Sequence, residues 1–112
     1  MNIQLKKGVL ELCVLSILAK RDCYGYELVN ELSKDISISD GTIYPILRRL
    51  TSEGYFTTYL QESQEGPPRK YYRLTELGYK TKDILEKEWF EFQESINKIV
   101  LGGDINDKNW IF

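Results

Sequence analysis

The chain has 112 residues, 42% of them apolar and 29% charged, which is the make-up of a single globular domain. It contains no histidine and its two cysteines stand at no metal-ligand spacing, so the commonest general base and the usual metal sets are excluded. The net charge is −2, and the longest apolar run, residues 9–19, is too short to cross a bilayer, so a cytoplasmic protein with no cofactor, no metal and no membrane partner is expected.

Residues 9–19 are apolar on nearly every side, the pattern of a helix that is covered on both faces. So short a chain has little to cover the second face unless a partner chain does so. Cys13 lies inside this run and is read as a small buried hydrophobe. Residues 24–32 form a second helix with Leu28, Val29 and Leu32 turned inward, and either Asp22 or Cys23 as its cap. In the link that follows, Ile36 and Ile38 alternate with Ser37, which leaves room for a very short strand.

The third helix is the element the rest presents. Ile43, Ile46, Leu47 and Leu50 recur at i, i+3, i+4 and i+7, Ser39 stands where an N-cap belongs, Asp40 puts an acid in the first turn, and Glu53-Gly54 closes the helix. Opposite the apolar stripe lie Thr42, Tyr44, Arg48 and Arg49, the hydroxyls and guanidiniums that contact phosphates and base edges. Pro45 removes an intrahelical bond and is expected to bend the helix. Residues 55–62 and 69–74 then read as two strands of a hairpin, with 63–68 as punctuation without regular structure. Arg69 and Lys70 follow its tip, where a wing would meet DNA; ordinary edge-strand charge is the plainer reading of that pair. Residues 41–73 carry five basic and three acidic side chains and form the one basic third of the chain.

The last helix starts at the cap Thr75 and runs unbroken to about Val100. Leu85, Trp89, Phe92, Ile96 and Ile99 are spaced 4, 3, 4 and 3, an a/d seam that matches the uncovered first helix as the other half of a dimer interface. Gly102-Gly103 ends it. The expected fold is mainly α with a small β-hairpin: a winged helix-turn-helix over residues 1–75, a dimerisation helix over 76–101 and a flexible tail over 102–112. The expected partner is double-stranded DNA, contacted through Ser39, Thr42, Tyr44, Arg48, Arg49, Arg69 and Lys70.

The stretches Tyr24-Gly25-Tyr26-Glu27-Leu28, Gly41-Thr42-Ile43-Tyr44-Pro45-Ile46-Leu47-Arg48-Arg49-Leu50, Glu53-Gly54-Tyr55 and Gly66-Pro67-Pro68-Arg69-Lys70-Tyr71-Tyr72-Arg73-Leu74-Thr75, with Gly78, occur in order and at the expected spacing. Together they resemble the PadR-like transcriptional regulators, in particular the short class that ends soon after one C-terminal helix. Pro45 belongs to that pattern. The resemblance implies a homodimeric repressor whose C-terminal helix packs on the partner's first helix, in a family whose members often control detoxification or multidrug-export genes. It also sets Trp89 where some multidrug-sensing relatives place a tryptophan at the dimer centre. A planar aromatic effector could stack between two such indoles, with Gly8 leaving room, Leu12 and Leu15 as apolar walls and Glu11 attracting a cation; plain interface core is the simpler role for Trp89. The competing functions are a ligand-independent winged helix and a module used only for protein contacts. A small enzyme is disfavoured by the absence of histidine, of a Gly-rich phosphate loop and of a nucleophile motif.

Overall fold

The computed structural model describes residues 3–102, with side chains from residue 8 onward. Most of the expected tail, with Trp110, Ile111 and Phe112, lies outside the described residues. The elements are α1 (Ile3–Lys20), β1 (Cys23–Tyr24), α2 (Gly25–Ser33), α3 (Asp40–Ser52), β2 (Phe56–Ser63), β3 (Gly66–Leu74) and α4 (Glu76–Leu101). They group into two units, one ending at Lys82 and the other starting at Asp83. Among the described residues no helix is long and apolar enough to cross a membrane.

In the first unit three helices and a sheet enclose one core, the expected winged helix-turn-helix. α1 contributes Leu10, Val14, Leu15 and Leu18, and α2 contributes Leu28 and Leu32. The whole predicted stripe of α3 is inside, with none of Ile43, Ile46, Leu47 and Leu50 more than 5% exposed. Val9, Leu12, Cys13 and Ile17 stay half-buried, so the second face of α1 is only partly covered by its own unit. Cys23, not Cys13, is the fully buried thiol; burial pushes both thiols above their ordinary value and keeps them protonated.

The hairpin carries a third strand that the chain pattern does not announce. The sheet order is β1-β3-β2, all antiparallel, with Cys23 opposite Tyr72 and Tyr24 opposite Tyr71. The short strand is therefore at Cys23–Tyr24; residues 37–39 have no regular structure, although Ile36 and Ile38 alternate there. Tyr24 is itself the N-cap of α2 in place of Asp22 or Cys23, its N–H donating to the Glu27 carboxylate at 3.2 Å. The stretch 63–68 is also more regular than expected. Ser63 ends β2, Gly66, Pro67 and Pro68 open β3, and only Gln64 and Glu65 turn. The strand tolerates two prolines because the register slips between Gln61 and Ser63, at a bulge where the ladder makes no demand on their missing N–H groups.

Helix ends follow local chemistry. Gly54 takes φ 85° just past the C-cap Glu53 of α3, and Gly102 takes φ 78° after α4, conformations that cost a side-chain-bearing residue strain. Thr75 caps α4 as expected, with Gly78 N–H donating to its Oγ1 at 3.1 Å. The Thr75 hydroxyl donates in turn to the Gly54 carbonyl at 2.7 Å, tying the start of α4 to the end of α3.

Candidate nucleic-acid interface

Counting outward from the buried stripe of α3, the residues farthest from the core are Gly41, Tyr44, Pro45 and Arg48, all exposed. Gly41 presents no side chain, and Pro45 cannot donate to the Gly41 carbonyl one turn back, so bare backbone is open on this face. Gly41 and Pro45 were not among the expected contacts. The signal for them was present, since they sit at the spacing that the apolar stripe leaves outward. The helix runs unbroken from Asp40 to Ser52 through Pro45.

Ser39 has the extended backbone of an N-cap, but its side chain caps nothing. Its hydroxyl is 3.1 Å from the Thr42 hydroxyl, and the Thr42 N–H bonds to the Ser39 carbonyl. The Tyr44 ring lies over Gly25 at the start of α2, where a Cβ would come within 3.2 Å of the ring and its hydroxyl. Gly25 thus makes the space that lets Tyr44 stand between the two helices with its edge exposed.

The five basic side chains of the middle third divide by whether an acid already holds them. Arg49 is paired twice, with Glu11 of α1 and with Glu53 at 3.0 Å. Arg73 is paired with Asp22 at 2.9 Å, and Arg69 reaches Glu65 at 3.7 Å while covering the Tyr24 ring at 4.6 Å. Among the described residues Arg48 and Lys70 have no ion-pair partner.

Strand alternation separates the two residues at the wing. Phe56, Leu74 and Tyr72 point into the core, so their cross-strand and alternate neighbours Thr58, Leu60 and Lys70 share the face of the sheet that α3 packs on. Arg69, Tyr71 and Arg73 point to the outer face. The Lys70 ammonium lies 5.6 Å from the Tyr72 ring centre. Burial raises the Tyr72 phenol above its ordinary value, the nearby Tyr44 hydroxyl adds to this, and Arg48 opposes it. Tyr44, Arg48 and Lys70 therefore converge on one buried tyrosine, whereas Arg49 and Arg69 turn elsewhere. Thr58 and Leu60 join this face unannounced; counting by twos from Phe56 finds them.

The outer face carries a ladder of rings. Tyr59 stacks on Tyr71 at 5.4 Å and 15°, and Tyr71 meets Tyr24 edge-on at 5.5 Å. The Tyr59 hydroxyl donates to Asp22 Oδ2 at 2.7 Å. That bond, with partial burial and the Asp22 charge, lifts the Tyr59 phenol above its ordinary value near pH 10. The folded value being the higher, this bond stabilises fully below the unfolded value, and its contribution fades as pH rises through the folded one. Thermal melts over about pH 8 to 12 should accordingly show Tyr59→Phe less stable at the low end, and losing less than the unaltered chain toward the high end. Equal pH dependence in the two proteins would remove Tyr59 from the alkaline transition.

The residues expected around an effector are dispersed in their surroundings. Gly8 is exposed, with nothing within 4 Å of where a Cβ would stand, and Leu12 is half-buried. Leu15 is fully enclosed by the core of its own unit, and Glu11 is taken by Arg49. In the second unit the seam of α4 is an apolar stripe that is only partly covered: Leu85 and Trp89 are half-buried, and Phe92, Ile96 and Ile99 are 49%, 40% and 77% exposed. Ile84 and Phe90 are exposed as well, outside the stripe.

The family model of the transcriptional regulator PadR-like family matches residues 14–84. The chain is similar to a Streptococcus mutans UA159 protein of known crystal structure, 40% identical, with 90% of this chain and 94% of that one covered and a TM-score of 0.81. It is also similar to a PadR-like transcription factor from Bacteroides fragilis (37% identical, 86% and 94% covered, TM-score 0.74). A PadR-like transcriptional regulator from Bacillus cereus is 36% identical, with 87% and 96% covered and a TM-score of 0.78.

Proposed function

The chain belongs to the PadR-like family of transcriptional regulators, which bind DNA, and from that premise we propose that it is a homodimeric repressor whose two α3 helices enter successive major grooves of an inverted-repeat operator. In this reading residues 1–75 contact DNA, residues 76–101 join the two copies, and the described residues supply regulation, not catalysis. The observation that carries it is the convergence of Arg48 and Lys70, two cations without an ion-pair partner among the described residues, on the face where Tyr44 and the bare Gly41 backbone stand. Phosphate neutralisation needs such cations. Ser39 and Thr42 lie at the entry of α3 and serve as phosphate contacts. Arg49 is bound on both sides by carboxylates and supports α3; Arg69 faces away and contacts the backbone at most peripherally.

Binding of short duplexes across a salt series tests this. Arg48→Ala should cost about 1–3 kcal/mol and relax preference at one position per half-site. Lys70→Ala should weaken all sequences alike and flatten the salt slope by about one unit for each phosphate left without its cation, summed over the dimer. Arg69→Ala should do clearly less. Unchanged affinity in the Arg48 and Lys70 variants would reduce this face to solvated surface charge.

Release by a planar aromatic effector at Trp89 is the finer part of the reading. The half-buried indole in a partly covered seam and the open space at Gly8 support it; the enclosed Leu15 takes no part. A cation attracted to Glu11 must compete with Arg49. Titration with a planar cationic dye tests it: no quenching of Trp89 emission in a Trp110→Phe chain leaves a ligand-independent regulator.

A further inference from the structure

Asp22 stands in the turn between α1 and β1, and its carboxylate reaches across to the wing. Its Oδ2 accepts the Tyr59 hydroxyl at 2.7 Å and the Arg73 Nε at 2.9 Å. One carboxylate therefore holds both long strands, since Tyr59 is on β2 and Arg73 on β3, at diagonal positions of the ladder. Its side chain is 28% exposed, so solvent screens this contact less than it screens the ion pairs along α4.

From Asp22 the contacts continue without a gap toward the tip. The Arg73 guanidinium lies 4.8 Å over the Tyr59 ring, Tyr59 stacks on Tyr71, Tyr71 meets Tyr24, and Arg69 covers Tyr24. Arg69 is the chain neighbour of Lys70. On the inner face Tyr72 and Leu74 anchor only the base of β3, and Gly66, Pro67 and Pro68 beyond Lys70 are all exposed. β1 reaches no farther than Tyr71. The outer ladder helps fasten the distal half of the hairpin, and it is tied to the helical body at two places, Tyr24 at the start of α2 and Asp22, of which only Asp22 holds β2 and β3 together.

We propose that Asp22 is a positioning residue for DNA binding: by tying Tyr59 and Arg73 to the turn after α1, it sets the angle of the wing and so aims Lys70 at the phosphate backbone. This rests on the wing contact proposed above. Lys70 does the touching, and Asp22 determines where it is held.

The test is a double-substitution cycle on the full chain, reading DNA affinity at fixed salt. Lys70→Ala alone should weaken binding several-fold. In an Asp22→Ala background the same change should alter affinity by less than about twofold, because Lys70 is no longer held in place; independent sites would instead keep the full effect, adding to within about twofold. If Asp22 serves stability alone, Asp22→Ala lowers the melting temperature while the Lys70 effect persists undiminished, and that result overturns the proposal. Should Asp22→Ala fail to fold, Tyr59→Phe keeps the ring ladder and deletes one of the two bonds to Asp22. The Lys70 effect must shrink there too, and an undiminished effect overturns the proposal equally. A Lys70→Ala chain that binds like the unaltered one would overturn the wing contact itself, and the role of Asp22 with it.

Discussion

Phe92→Asp and Ile96→Asp, introduced together, should leave a folded chain that sediments at its own 13.1 kDa mass and binds an operator about 10²–10⁴-fold more weakly. Both residues lie on the α4 stripe with Leu85, Trp89 and Ile99, and both are close to half exposed in the single chain. Apolar surface of that kind on a long helix is what a second copy would cover. In a single chain the two new carboxylates would sit in water at little cost. In a paired seam each would be buried without a partner, at a cost of several kcal/mol. That contrast separates loss of the dimer from loss of the fold, because circular dichroism should be unchanged while sedimentation halves the mass. DNA affinity falls because one winged unit can no longer hold its half-site while the other finds the second. An unaltered protein that stays monomeric at micromolar concentration would sink both the interface and the inverted-repeat mode.

Gly78→Ala should destabilise the protein by about 2–4 kcal/mol in urea denaturation, although alanine is the better helix former by about 1 kcal/mol. Gly78 is the one buried residue among those described in α4. A Cβ there would stand 2.3 Å from the Tyr55 carbonyl oxygen and 2.7 Å from Leu74 Cδ1. The leucine could rotate away, but the carbonyl cannot, because it is backbone and already accepts the Thr75 N–H at 3.0 Å. The first turn of α4 would have to lift, which breaks the Thr75 cap with it. Gly8→Ala is the matched control. It is also a helical glycine, a Cβ there meets nothing within 4 Å, and the exchange should stabilise by about 0.5–1 kcal/mol. If both substitutions stabilise, α4 does not approach Tyr55 this closely.

What could be read from the chain is what local chemistry determines. The stripe of α3, the αL glycine at Gly54 and the cap at Thr75 each involve residues within a turn of one another, and each stands where it was expected. β1 was illegible because two residues show no alternation and their partners Tyr71 and Tyr72 are far along the chain. The site divides the same way. That α3 carries hydroxyls and guanidiniums is plain from the residue types. Which cations are free is not, because Glu11 neutralises Arg49 from another helix and Asp22 reaches Arg73 from another turn. The placement of Arg69 and Lys70 on opposite faces follows from strand parity. That parity was already contained in the expected strand 69–74; which face is the inner one shows only from the burial of Tyr72 and Leu74.

The two prolines of β3, Pro67 and Pro68, have a consequence for the protein's behaviour among its own copies. β1 shields the free side of β3 only at Tyr71 and Tyr72, so from Gly66 to Lys70 the strand is an open edge. An open edge invites strand addition from a neighbouring chain, which ends in runaway fibrillar association. Pro67 and Pro68 form a bulge opposite Glu62 that bends the ribbon away from a flat template, and neither can donate a backbone N–H to an added strand. In the proposed reading the wing can therefore meet a large polyanion while remaining a poor seed for aggregation.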